Sequence, residues 1–201
     1  MRVIPLLLLI IAVLVSGITL SISNIGEPLV ASMWISLLVF PVLMIIVYPV
    51  NYLLFKAYHS LTDSRFEFES LAQIVVSALL FVIHLAISLY TLGINVNVGL
   101  VIGVLLGALM IIAGYALPKT KPNVLFGART IWALKDDEVW RLTNKFAGKL
   151  FVYFGVVLIV CTLILANSFF LMITALLFIL ISVTIIIEVF SFKTYKNLHS
   201  K

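Results

Sequence analysis

Six long apolar runs make up most of this sequence, and all thirteen of its Lys and Arg residues fall on one side of them. Arg2 precedes the first run, and Lys56 and Arg65 lie between the second and third. Lys119, Lys121, Arg129, Lys135, Arg141, Lys145 and Lys149 lie between the fourth and fifth or border them. Lys193, Lys196 and Lys201 follow the last, and the three alternate loops hold none. Basic residues close to membrane spans are retained on the cytoplasmic side. The pattern therefore predicts an all-α helical bundle with six transmembrane spans, multi-pass in the cell membrane, with both termini cytoplasmic.

Composition agrees. The 201 residues are 64% hydrophobic and 10% charged, whereas soluble domains carry about 25% charged residues. Six spans of about 20 residues use most of the length, so no separate soluble domain fits. The net charge of +5 follows from retention of basic loops, and no basic domain stands free to bind nucleic acid. The single cysteine, Cys161, lies within a span and cannot form an intrachain disulfide. The N-terminus starts like a signal peptide, but its apolar stretch continues through Ile18, Leu20 and Ile22. That is span length, and it reads as a retained first span.

The spans are expected near 3–22, 29–55, 70–92, 97–117, 148–165 and 169–192. The expected regions are a four-span part at 1–118, a cytoplasmic loop with an interfacial helix at 119–147, and a two-span part at 148–201. Span two contains Pro41 and Pro49. Each frees a carbonyl one turn earlier, near Leu37 and Ile45, which predicts a kink or an early end. Span four carries Gly99, Gly103 and Gly107 on one face, a seam for close helix approach. Packing within the chain is favoured over a homo-oligomer seam, because five other spans are available.

The loop from Pro118 to Phe151 is the one region written for more than solvation. In its second half Asp136 can cap a helix, with Asp137 and Glu138 in the first turn, where the dipole favours acids. Val139, Leu142, Phe146 and Leu150 make an apolar stripe, and Asp137 and Arg141 are spaced to pair. Trp132 and Trp140 are interface-seeking rings. A helix lying along the inner face and turning into span five is expected, preceded by an irregular turn around Gly127.

At these residues the chain resembles the SdpI family of membrane proteins, associated with immunity to a secreted peptide toxin. Asn123, Gly127, Arg129, Thr130, Trp132, Leu134, the Asp136–Asp137–Glu138 patch, Trp140, Thr143, Asn144 and Gly148 fill the places of the family's signature. Ile131 stands where a proline is common and Asn144 where a histidine is common. Gly26-Glu27-Pro28 is similar to a polar turn near the N-terminus of family members. The resemblance implies toxin tolerance as the function. It implies the toxin and, in characterised relatives, a cytosolic repressor as partners beside the lipid bilayer.

The remaining polar residues each admit two readings. His84, in span three, is either a functional intramembrane group or a neutral ring bonded to a serine or a backbone carbonyl. Glu188 either pairs with Lys193 or accepts from Arg129 or Arg141. Glu27 is the one charge expected on the outer face, and a helix-start acid is the plain account of it. Arg129 is read as a structural clamp on a carboxylate ahead of a ligand contact. No catalytic motif, metal cage or cofactor site is expected: His59, His84 and His199 do not cluster in sequence. The competing class is a small transporter using His84 and the kinked span two, for which an inverted repeat would be the sign; none is evident.

Overall fold

The computed structural model describes residues 3–23, 31–62, 69–123, 125–165 and 168–200. Glu27 with its Gly-Glu-Pro turn, Arg2, Asp63, Arg65, Glu67 and Asn167 lie outside the described residues. The elements are α1 (Val3–Ser23), α2 (Ala31–Thr62), α3 (Glu69–Thr91), α4 (Val98–Ala116), a 3-10 turn at Leu117–Lys119, another at Ala133–Lys135, α5 (Asp137–Ile164) and α6 (Phe169–His199). Among the described residues all six α-helices are long and apolar enough to cross a membrane, and there is no strand. The chain forms two compact units, and the division falls within α2 and α4.

The first unit takes residues 1–55 and 68–102. Here α1 packs along α3 through small and polar residues: Ala12, Ser16 and Thr19 on α1, and Ser77, His84 and Ser88 on α3, are all buried. Large side chains such as Leu7, Ile10, Leu14 and Ile18 point outward. Lipid tails are as apolar as leucine, so helices associate by close packing and hydrogen bonds and turn their bulk to the bilayer. α2 runs through both Pro41 and Pro49 without ending. The Leu37 carbonyl, which Pro41 cannot serve, accepts a hydrogen bond from Ser16 Oγ at 3.0 Å. That bond satisfies the group that would otherwise favour ending the helix in hydrocarbon. Gly93 at φ +79° turns the chain out of α3, and Asn97 Oδ1 accepts from Leu100 N at 3.0 Å at the start of α4.

The second unit takes residues 56–67 and 103–201. Its core joins Met110, Ala147, Leu158, Ile179, Val183 and Ile187, and Phe146 stacks on Phe190 at 4.0 Å. α4 and α5 meet along a glycine seam. A Cβ on Gly107 would lie 2.8 Å from the Gly155 carbonyl, and one on Gly114 would lie 2.7 Å from that of Gly148. Gly103 faces Thr162, whose side chain would be 2.5 Å away. Gly103 and Gly107 thus pack within the chain. The seam extends through Gly114, Gly148 and Gly155, and the second half of α4 belongs to the same unit as the loop and the last two helices.

The expected interfacial helix and span five are one helix. α5 is continuous from Asp137 to Ile164, about 42 Å at 1.5 Å per residue, longer than a hydrocarbon layer of about 30 Å. Asp136 caps its start, accepting from Glu138 N and Val139 N at 2.9 Å each. No proline or positive-φ glycine then interrupts it.

Candidate functional site

The loop between α4 and α5 is built by its own polar side chains. Asn123 is buried, and its amide serves four backbone groups. Nδ2 donates to the Lys121 and Phe126 carbonyls at 2.6 and 3.0 Å. Oδ1 accepts from Leu125 N and Phe126 N at 2.7 Å each. Such an Asx arrangement replaces the ladder bonds a loop lacks. Trp140 is 1% exposed, and its Nε1–H donates to the Thr120 carbonyl at 3.0 Å. Asn144 Oδ1 accepts from Ala128 N at 2.7 Å, and its Nδ2 donates to the Trp140 carbonyl at 3.1 Å. An amide does this without a proton equilibrium, so Asn144 suits a structural post.

Gly127 sits where these pieces converge. Its φ is +119°, and a Cβ there would meet the Trp140 ring at 2.6 Å and Asn144 Oδ1 at 2.9 Å. Thr130 shares a hydrogen bond with Ser191 of α6 and accepts from Ala133 N at 3.0 Å. Trp132 lies against Phe192 and Tyr195, each 5.1 Å away between ring centres, with Lys135 Nζ 4.9 Å above its ring. Tyr58, from the end of α2, packs edge-on against Phe126 at 5.7 Å, and its hydroxyl accepts from Lys121 N at 3.3 Å. Thr143 is fully buried, and its hydroxyl has no partner among the described residues.

Other side chains of the loop face outward. Arg129 is exposed and lines a hollow of about 400 Å³ that Thr130, Thr184 and Glu188 also line. Arg141 pairs with Glu138, through Nε at 2.7 Å and Nη2 at 2.6 Å. The expected partner was Asp137, but on the first turn Glu138 is the one whose longer side chain reaches the guanidinium as a fork. Among the described residues Glu188 makes no ion pair with Lys193 or Arg141.

A second polar cluster lies in the first unit. His84 is fully buried, with Nε2 3.1 Å from both Ser16 Oγ and the Ala12 carbonyl. A carbonyl only accepts, so Nε2 carries the proton and Nδ1 is left as a lone pair with no partner among the described residues. His84 and Glu188 fall in different units.

Residues 119–188 match the model of the SdpI/YfhL protein family. The resemblance read from the loop is thereby confirmed for the loop, α5 and most of α6; His84 lies outside the matched segment. Over 127 residues the chain is 35% identical to the immunity protein SdpI of Bacillus subtilis (strain 168), a match covering 63% of this chain and 59% of that protein. The chain thus spans about three fifths of the length of the relative it matches. No solved structure matches it.

Tyr58, Ser191 and Tyr195 were not singled out from the sequence. A lone hydroxyl or tyrosine near the end of an apolar helix has no spacing to mark it. Pairing it with the loop requires knowing which helices are neighbours.

Proposed function

We propose that this chain gives tolerance to a secreted antimicrobial peptide toxin, as a membrane-embedded immunity protein. The observation that carries the reading is the agreement of two facts at one place. The segment matching the SdpI/YfhL family is the segment whose asparagines, glycine and tryptophan interlock into a self-supporting loop. The basic loops set the direction of the bundle: the signature loop faces the cytoplasm. An external toxin then meets the membrane on the far side of a hydrocarbon layer about 30 Å thick. Toxin contact is therefore within the bilayer or at the outer face, with Glu27 as the candidate polar group; His84 is fully buried, and its part is to hold α1 to α3.

The loop has the other role. Its signature side chains are occupied internally, while Ile131 and Leu134 are 66% and 47% exposed beside the outward Arg129, Lys135 and Arg141. An apolar pair among exposed charges suits a cytosolic protein partner such as a repressor.

The test is single substitution at matched expression: Arg129→Ala, Ile131→Ser, Lys145→Gln and Arg141→Gln in the loop, and Glu27→Gln and His84→Gln elsewhere. Loss of toxin tolerance is expected in the second set, and loss of repressor capture at the membrane in the first. Tolerance lost only in the loop set would refute the division. A host lacking the gene but as tolerant as one carrying it would refute the immunity role.

A further inference from the structure

The hollow of about 400 Å³ between the loop and α6 changes character along its length. Glu188 of α6 marks one end, and Leu180 and Val183 of the same helix mark the other. Arg129 belongs at the Glu188 end, because its neighbour Thr130 is bonded to Ser191, about one turn past Glu188. Arg129, Thr184 and Glu188 are all exposed, so the hollow opens outward between them.

Its depth in the membrane fits a lipid. Glu188 is nineteen residues beyond Phe169, where α6 starts, about 28 Å along the helix. A hydrocarbon layer is about 30 Å thick, so Glu188 lies near its edge on the side of the loop. Leu180 lies about 12 Å nearer the helix start, at the level of acyl chains. Thr184, between them, donates its hydroxyl to the Leu180 carbonyl at 2.8 Å, so its hydrogen is not offered to the hollow.

The two charged groups supply the recognition. Among the described residues the Glu188 carboxylate has no hydrogen-bond or ion-pair partner. A carboxylate at the edge of hydrocarbon is costly until a cation meets it. Arg129 is engaged already, but a guanidinium carries several N–H donors and can keep that contact while also serving a phosphate.

We propose that this hollow seats one phosphatidylethanolamine molecule, its ammonium on Glu188, its phosphate toward Arg129 and an acyl chain over Leu180 and Val183. Charges of both signs in one hollow suit a zwitterion. Glu188 chooses among headgroups: a glycerol headgroup brings no cation, and the quaternary nitrogen of choline has no N–H to donate. The apolar end at Leu180 favours a lipid over a soluble zwitterion.

The test uses the full chain in nanodiscs of equal parts phosphatidylethanolamine, phosphatidylglycerol and phosphatidylcholine, with the lipid retained in detergent counted by native mass spectrometry. One phosphatidylethanolamine per chain is expected to be retained in preference to the other two. In Glu188→Gln that preference should fall about tenfold, the worth of one hydrogen bond to a charged group. Asp137→Asn removes a carboxylate outside the hollow and should leave the preference unchanged. Both side chains are exposed, so each variant should elute as the native protein does. Equal retention of phosphatidylethanolamine and either other lipid by the native chain would overturn the proposal. So would equal losses in the two variants, which would mean diffuse attraction without a seat. Displacement of the bound species by millimolar glycerophosphoethanolamine, the headgroup without its chains, would overturn its lipid character.

Discussion

Replacing Gly127 with alanine tests the loop at its tightest point. Two separate costs arise. At φ +119° an L-residue is strained, by about 1–3 kcal/mol. The new Cβ would also sit 2.6 and 2.8 Å from two atoms of the Trp140 ring and 2.9 Å from Asn144 Oδ1. The indole cannot retreat, since it is 1% exposed and held through Nε1 to the Thr120 carbonyl at 3.0 Å. Overpacking of this kind costs about 1–3 kcal/mol more. The total expected is about 2–6 kcal/mol. Two other glycines separate the terms. Gly93 has φ +79° but open space around it, so Gly93→Ala should show strain alone, about 1–2 kcal/mol. Gly17 is helical with nothing within 4 Å, so Gly17→Ala should be stabilising by about 0.5–1 kcal/mol. Thermal unfolding of each purified variant in one detergent, followed by tryptophan fluorescence, checks the series. The expected order of melting temperature is Gly17→Ala, native, Gly93→Ala, Gly127→Ala. If Gly127→Ala melts with Gly93→Ala, the contacts with Trp140 and Asn144 do not constrain the loop, and the reading of it as interlocked is wrong.

The same melts distinguish satisfied from unsatisfied groups. Trp140→Phe should cost about 1–3 kcal/mol by stranding the Thr120 carbonyl, whereas Thr143→Val removes a hydroxyl that has no partner among the described residues and should be neutral or stabilising. A large loss in Thr143→Val would reveal a partner for that hydroxyl. On the glycine seam, Gly155→Ala would bring a Cβ 2.7 Å from the Gly107 carbonyl. It should cost about 1–3 kcal/mol, and a native-like melt would mean that α4 and α5 do not pack there. For topology, with Cys161 replaced by serine, a cysteine at Asn95 should react with an impermeant reagent from outside, and one at Lys145 only after the membrane is opened. External labelling at Lys145 would reverse the orientation on which the proposed division of roles rests.

Span number and helical class could be read directly, because hydrocarbon demands about 20 apolar residues per crossing and an internally satisfied backbone. Those demands act locally along the chain. Asp136 as a cap and the Leu37 carbonyl as a group needing a partner were equally local inferences, and the structure shows the bonds that answer them. The loop motif was legible as a pattern of residue types, though not as geometry. That Gly127 lies under Trp140, that Asn144 closes the turn at Ala128, and that Thr130 reaches Ser191 on α6 depend on which helices come to lie side by side. Spacing also misassigned Arg141 to Asp137, since i,i+3 and i,i+4 acids are both within reach and only side-chain length and direction choose Glu138. The glycine seam was half visible: Gly103 and Gly107 mark a small face, but Gly114, Gly148 and Gly155 complete it from two helices far apart in sequence. Burial within this bundle follows from mutual shape, because surrounding lipid offers every apolar side chain the same solvent whether or not it is packed. Hydropathy therefore places the spans, and only the tertiary structure decides which face of each one meets a neighbour.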